Sequence, residues 1–72
     1  MVQFDYSKLK GRIVEKCGNQ KGFAIKINMN PSTLSTRLNN SSQWTQAEIL
    51  ESAKILKISF KEIPAYFFTQ KV

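Results

Sequence analysis

The 72-residue sequence contains no histidine, one cysteine and one aspartate. It therefore lacks the paired side chains that usually act as acid, base or nucleophile in an enzyme. The lone Cys17 has no partner for an internal disulfide or a zinc site, and we expect it to be a small buried residue at a helix end. None of the three glycines lies in a glycine-rich phosphate loop. The sequence predicts a non-enzyme that binds no cofactor, metal or small-molecule substrate.

Long apolar runs are missing as well. The longest apolar segments extend over only a few residues, which is too short to span a bilayer. Residues 1–9 lack the uninterrupted apolar core of a secretory signal. A chain of this length with 42% hydrophobic residues is typical of one small globular domain, here residues 1–72. We expect a cytoplasmic protein that does not bind membranes.

Acidic residues are scarce, with five Asp/Glu against eleven Lys/Arg and a formal charge of +6. Up to residue 40, seven basic residues face two acidic ones, a charge of +5. From residue 41 onward, four basic residues face three acidic ones, a charge of +1. This excess in the first half favours an anionic partner there, but lysines also solubilise helix surfaces, and both interpretations stay open.

Cap and turn residues divide the first half of the chain into three short helices. Apolar spacing predicts the first over about 6–17, the second over about 20–27, and a third that begins at Pro31. Asp5, Asn19 and Asn30 are suitable N-caps for the first, second and third helix, and Pro31 suits the first turn of the third. Gly18 is expected to end the first helix, and Asn28 can adopt the left-handed conformation needed in the turn after the second. The second and third helices, about 20–39, have the spacing of a helix-turn-helix.

Two capping boxes mark further helix starts in the second half. Thr45 with Glu48 predicts a helix over about 46–56, and Ser59 with Glu62 predicts another over about 60–66. Pro64 is expected to disturb the fifth helix. The last eight residues form an apolar tail in which Phe67 and Phe68 could be either the end of a core helix or a partner-binding patch.

The apolar positions of these five helices predict an all-α domain with one core. The expected core residues are Leu9, Ile13, Phe23, Ile27, Leu34, Leu38, Ile49, Ala53, Leu56 and Ile63. We also expect Ala24, Leu50 and Phe60 to face inward, with Trp44 and Ile58 as hydrophobic lids. Only Leu34 and Leu38 of the third helix are large and apolar, so most of that helix should face outward.

The run "NQKGFAIKINMNPSTLSTRLNN", followed by "WTQAEILESAKILKIS", resembles the helix-turn-helix family of phage repressors and Cro proteins. This resemblance implies a compact five-helix fold like that of the lambda repressor, with the third helix as recognition helix. One departure is Asn28, which stands where the family usually has glycine. The segments "FDYSKLKGRI" and "LSTRLNN" more narrowly resemble the phage modulators of repression, small regulators encoded opposite the repressor. That resemblance implies action with or against a cognate phage repressor.

The outward residues of the third helix are poorly suited to reading bases. Strong base reading uses bidentate Arg, Lys, Asn or Gln side chains. Ser and Thr can bond to almost any base or to a phosphate, so they help to position a protein on DNA more than they select a sequence. Arg37 lies late in the helix, where it could reach a phosphate, and by resemblance Gln20 would brace the backbone. The candidate partner- or DNA-binding residues are Gln20, Lys21, Ser32, Thr33, Ser35, Thr36, Arg37 and Asn39, with Glu48 and Glu51 as additional partner contacts.

Two functions follow from this surface. The first is an anti-repressor that binds the cognate repressor and alters its operator binding, and the second is a Cro-like reader of operator DNA, acting as a dimer. The poor base-reading helix and the narrower resemblance favour the anti-repressor. DNA could also be bound only together with the repressor.

Overall fold

The computed structural model describes residues 3–71. Within this range five α-helices follow in order, with a 3₁₀ turn over Phe60–Glu62 leading into the last. The helices are α1 Ser7–Cys17, α2 Gln20–Lys26, α3 Pro31–Leu38, α4 Gln46–Leu56 and α5 Ile63–Phe67. The predicted all-α, five-helix architecture is therefore confirmed. No helix between residues 3 and 71 has the length and apolar character needed to cross a membrane.

Most of the predicted boundaries are confirmed in atomic detail. Gly18 ends α1 at a φ of 84°, and Asn28 occupies the left-handed region at a φ of 58°. The side chains of Asn19 and Asn30 accept hydrogen bonds from the amides of Gly22 and Ser32, at 2.7 Å and 2.9 Å. Such bonds satisfy amides that have no partner inside the helix.

The start of α1 differs slightly from the prediction. It begins at Ser7, and its N-cap is Tyr6, whose side chain makes no capping bond. Asp5 instead accepts bonds from both the amide and the hydroxyl of Ser7, at 2.9 Å and 2.6 Å. Asp5 still satisfies a free amide, but from one residue farther outside the helix.

The core surrounds α1, which packs against α2, α4 and α5. Eight of the ten predicted core residues are buried, and the remaining two, Ile27 and Ile49, are partly buried against the same cluster. Ile58, Tyr66 and Phe67 complete the core from the C-terminal side. Cys17 lies at the end of α1, as predicted, and is partly rather than fully buried against the same cluster.

Two inward predictions were wrong, because Leu50 and Phe60 remain 49% and 80% exposed. In α4 the buried face includes Ser52, which is fully buried and donates to the carbonyl oxygen of Glu48 at 2.7 Å. Ser52 and Leu50 lie roughly 160° apart around the helix, so the core contacts the side of α4 away from Leu50. A serine that bonds to its own helix can be buried without a lost hydrogen bond.

The Pro64 prediction also needs correction. Pro64 lies in the first turn of α5, where proline is tolerated because its missing N–H would have no partner there. The segment predicted as one helix over 60–66 is thus a 3₁₀ turn followed by α5.

The C-terminal tail is held by the N-terminal segment. Phe4 and Gln70 form an isolated antiparallel bridge, and the amide of Asp5 donates to the carbonyl oxygen of Thr69 at 2.7 Å. The Asn40 side chain bonds to both the amide and the carbonyl of Phe4, each at 2.9 Å. These bonds bring both ends of the described chain onto one face of the helical core.

Candidate partner-binding surfaces

The α2–turn–α3 unit presents most of the predicted binding residues to solvent. Gln20, Lys21, Ser32, Ser35, Thr36 and Asn39 are exposed, as is Glu51 on α4. Thr33, Arg37 and Glu48 are only partly exposed. Leu34 and Leu38 anchor α3 in the core, so its remaining face is available to a partner.

The polar side chains of α3 bond mostly to neighbours in the same chain. The Thr36 hydroxyl donates to the carbonyl oxygen of Thr33 at 2.7 Å and lies 2.9 Å from the Ser42 hydroxyl. The Ser32 hydroxyl donates to the side chain of Asn30 at 2.7 Å. A hydroxyl that donates its hydrogen to a neighbour in the chain can still accept a hydrogen bond, but it cannot donate one to a base.

The prediction treated Arg37 and Glu48 as separate contacts for a partner, but the structure joins them. The Arg37 Nε lies 2.9 Å from one oxygen of Glu48, and its Nη2 lies 3.2 Å from the other. A third guanidinium contact goes to the Ser42 hydroxyl. The pair therefore links α3 to α4 in the bidentate geometry that arginine and carboxylate prefer.

Glu48 is also the acidic half of the capping box of α4. Its carboxylate accepts a bond from the amide of Thr45 at 2.9 Å, while its own amide donates to the Thr45 hydroxyl at 3.1 Å. The bond from Arg37 lowers the pKa of Glu48 and raises the pKa of Arg37, each favouring the charged form. One carboxylate thus caps α4 and holds the end of α3.

The other arginine also contributes to the fold. Arg12 of α1 donates to the carbonyl oxygens of Leu56 and Lys57 at 2.8 Å and 2.9 Å, where α4 ends. Arginine is the side chain best suited to bidentate recognition of guanine or phosphate. Both arginines are therefore bonded within the fold, and the basic residues that remain for a partner are lysines.

An apolar surface that the sequence analysis did not anticipate lies between α4 and α5. Leu50, Phe60 and Phe68 are its exposed members, and Phe68 is 50% exposed. Two adjoining hollows of about 370 and 270 Å³ share Leu50, Phe60 and Ile63. The first also contacts Gln46, Ile49, Pro64 and Phe68, and the second Ala53, Lys54 and Ile58. We call this surface the α4–α5 groove.

The only sequence signal for the groove was the apolar tail. Phe67 and Phe68 were left open between core and surface, and the structure divides them, with Phe67 buried and Phe68 exposed. A separate cleft of about 300 Å³ shares Phe68 with the groove and is lined by aromatic residues including Phe4, Tyr6 and Trp44. The Trp44 indole N–H is buried there without an acceptor among residues 3–71.

Comparison with known proteins places this architecture in a family. Residues 2–70 match the family described as "Protein of unknown function (DUF739)". No curated protein matches the chain. The solution structure of the modulator of repression of the temperate bacteriophage TP901-1, from Lactococcus lactis, is similar to this fold, with a TM-score of 0.81. The two sequences are 43% identical, and the match covers 90% of this chain and 88% of the other. The chain therefore belongs to the DUF739 family, and it is a regulator of a phage repression switch, similar to the modulator of repression of TP901-1.

Proposed function

We propose that this protein is a non-catalytic modulator of repression that binds the cognate phage repressor in the bacterial cytoplasm and alters its hold on operator DNA. The observation that carries the proposal is the state of α3. Its one basic residue, Arg37, is paired with Glu48, and the Thr36 hydroxyl bonds to the backbone carbonyl of Thr33 and lies beside the Ser42 hydroxyl. A helix in this state has little with which to read bases.

A protein partner makes better use of the same surface. Small hydroxylated side chains let a second helix approach closely, and their oxygens can still accept hydrogen bonds. An anti-repressor also needs no sequence specificity of its own, since the repressor already recognises the operator. Glu51, which is exposed and makes no ion pair among residues 3–71, offers an anionic contact for a repressor's cationic DNA-binding surface.

The second candidate function is a Cro-like reader of operator DNA. It is favoured by the charge of +5 in the first 40 residues and by exposed lysines such as Lys21 in α2. Lysine contacts with phosphates give binding that is steeply salt-dependent and tolerant of sequence. If this protein contacts DNA alone, we expect binding of that weak kind.

Native gel shifts with three components decide between the two functions. The protein is mixed with purified cognate repressor, with the operator DNA between their genes, and with both. We expect a complex with the repressor, and a changed repressor–operator band when all three are present. Specific, nanomolar binding to operator DNA at physiological salt without repressor would instead establish the Cro-like function.

Within the proposed function, the exposed face of α2 and α3 is the docking surface that the sequence analysis favoured. Thr36→Lys places a long cation on that face, where burial against a partner without a counter-charge is costly. We expect the variant to lose repressor binding in calorimetry while keeping its circular dichroism spectrum. Val14→Lys, at a 55% exposed position of α1, adds the same charge elsewhere and should bind normally. Unchanged affinity of the Thr36 variant would remove this face from the interface.

A further inference from the structure

The α4–α5 groove gathers three of the five large hydrophobic residues that are exposed among residues 3–71. Leu50, Phe60 and Phe68 are each about half or more exposed, and they lie around one pair of connected hollows. Isolated exposed apolar residues are ordinary, but a contiguous apolar surface on a small protein usually marks a site for a partner. Large aromatic side chains such as Phe60 also anchor many interfaces.

We propose that this groove binds an amphipathic helix of the cognate repressor, oriented by an acidic residue of that helix that pairs with Lys54. The inference rests on the proposed function and deepens it, since it assigns the apolar part of the repressor interface. Three features carry it: the form of the groove, its length, and the charge at one end.

The form of the groove favours a helix over an extended strand. Its walls are side chains of α4, the 3₁₀ turn and α5, and the lining is apolar except for Gln46 at one end and Lys54 at the other. A strand lying there would leave its own N–H and C=O groups against apolar walls without partners. A helix satisfies those groups internally and needs to present only an apolar face.

The length of the groove matches a short helical segment. Gln46 and Lys54 are eight residues apart on α4, which corresponds to about 12 Å at 1.5 Å per residue. An occupant of about two turns would therefore fill it, with apolar residues at positions i, i+3 or i+4, and i+7.

The charge at one end gives the occupant its direction. Lys54 lines the groove, Lys57 and Lys61 flank the lining residues Ile58 and Phe60, and none of these lysines forms an ion pair among residues 3–71. Two acidic residues lie near these lysines in sequence. Glu62 uses its carboxylate to accept bonds from the amide and hydroxyl of Ser59, and Glu51, three residues before Lys54 on α4, makes no ion pair among residues 3–71. An acidic side chain on the partner would supply the missing counter-charge.

The same charge disfavours a second copy of this chain as the occupant. Each copy carries a net charge of +6, so self-association would bring like charges together. A dimer across the groove would also bring a second set of the same lysines to this surface.

Calorimetry with purified cognate repressor tests the apolar part of the proposal. Phe60→Ser changes a side chain that is 80% exposed, so the fold should persist, and we expect affinity to fall roughly 30-fold or more, as for a central interface residue. Val14→Ser is the matched control, because Val14 of α1 is 55% exposed and lies outside both the groove and the exposed face of α2 and α3. Leu50→Ser is a second groove variant on a different element.

The charge is tested by Lys54→Glu against Lys16→Glu, which makes the same change on α1. We expect only the Lys54 variant to lose about tenfold or more in affinity, with a flatter salt dependence than the wild type.

Wild-type affinity in both groove variants, Phe60→Ser and Leu50→Ser, would overturn the groove while leaving the proposed function standing. Absence of binding by the wild-type protein would overturn the proposed function itself. Sedimentation showing a wild-type dimer that Phe60→Ser dissociates would assign the groove to a second copy and overturn the proposal.

Discussion

The same substitution, glycine to alanine, should have opposite effects on stability at two helical positions. Gly11 lies within α1 and Gly22 within α2, and neither has a φ in the left-handed region. Alanine in a helix interior is ordinarily more stable than glycine by about 0.5–1 kcal/mol, because the unfolded chain loses less freedom. Propensity alone thus predicts that both substitutions stabilise the protein.

Tertiary contacts change the result at Gly22. An added Cβ at Gly11 meets no atom within 4 Å, so the gain should be realised. At Gly22 the Cβ would lie 2.7 Å from the carbonyl oxygen of Cys17 and 3.3 Å from the Asn19 oxygen that caps α2. The first contact is with backbone, which cannot rotate away. Overpacking of this kind costs about 1–3 kcal/mol, so we expect a net loss of roughly 1–2 kcal/mol after the propensity gain.

Thermal unfolding followed by circular dichroism, with urea unfolding as an independent measure, tests this pair. For a domain of this size each kcal/mol shifts Tm by roughly 4–8 °C, so Gly11→Ala should raise Tm by several degrees and Gly22→Ala should lower it by more. Equal stabilisation by both substitutions would refute the close approach of α2 to the end of α1.

Two further predictions concern the core and the ion pair. Leu34→Ala, at a residue only 1% exposed, should cost about 2–5 kcal/mol, and near-normal stability in urea would exclude Leu34 from the core. Glu48→Gln keeps a capping side chain but removes the charge that pairs with Arg37, so we expect a loss of about 1–2 kcal/mol at pH 7. The pKa of Glu48 is lowered in the folded state, so its charged form stabilises the folded protein. This stabilisation is complete at pH values above the ordinary pKa of glutamate, and it is lost as the pH falls through the lower pKa of the folded state. The stability difference between wild type and Glu48→Gln should therefore narrow in acid, and a difference that stayed constant down to acid unfolding would contradict the role of the pair.

Helix boundaries were predictable because their causes are local. A cap such as Asn19 or Thr45 bonds to the amide three residues away, and asparagine at position 28 tolerates a left-handed backbone because of its own side chain. The strongest periodic positions, such as Leu9 and Ile13, were predictable for a similar reason, since a helix places them on one face at any site in the fold. The resemblance to phage regulators depended on the same short segments.

Tertiary structure alone decided which apolar and charged residues remain available to a partner. Periodicity could place Leu50 on an apolar face of α4, but the packing of α1 and α5 selects the side that includes Ser52 and leaves Leu50 exposed. Likewise, nothing local joins Arg37 to Glu48, which lie eleven residues apart and meet only because α3 and α4 pack with these positions adjacent. A burial pattern or an ion pair between helices depends on how whole elements are arranged, and a binding surface consists of the residues that this arrangement leaves uncovered.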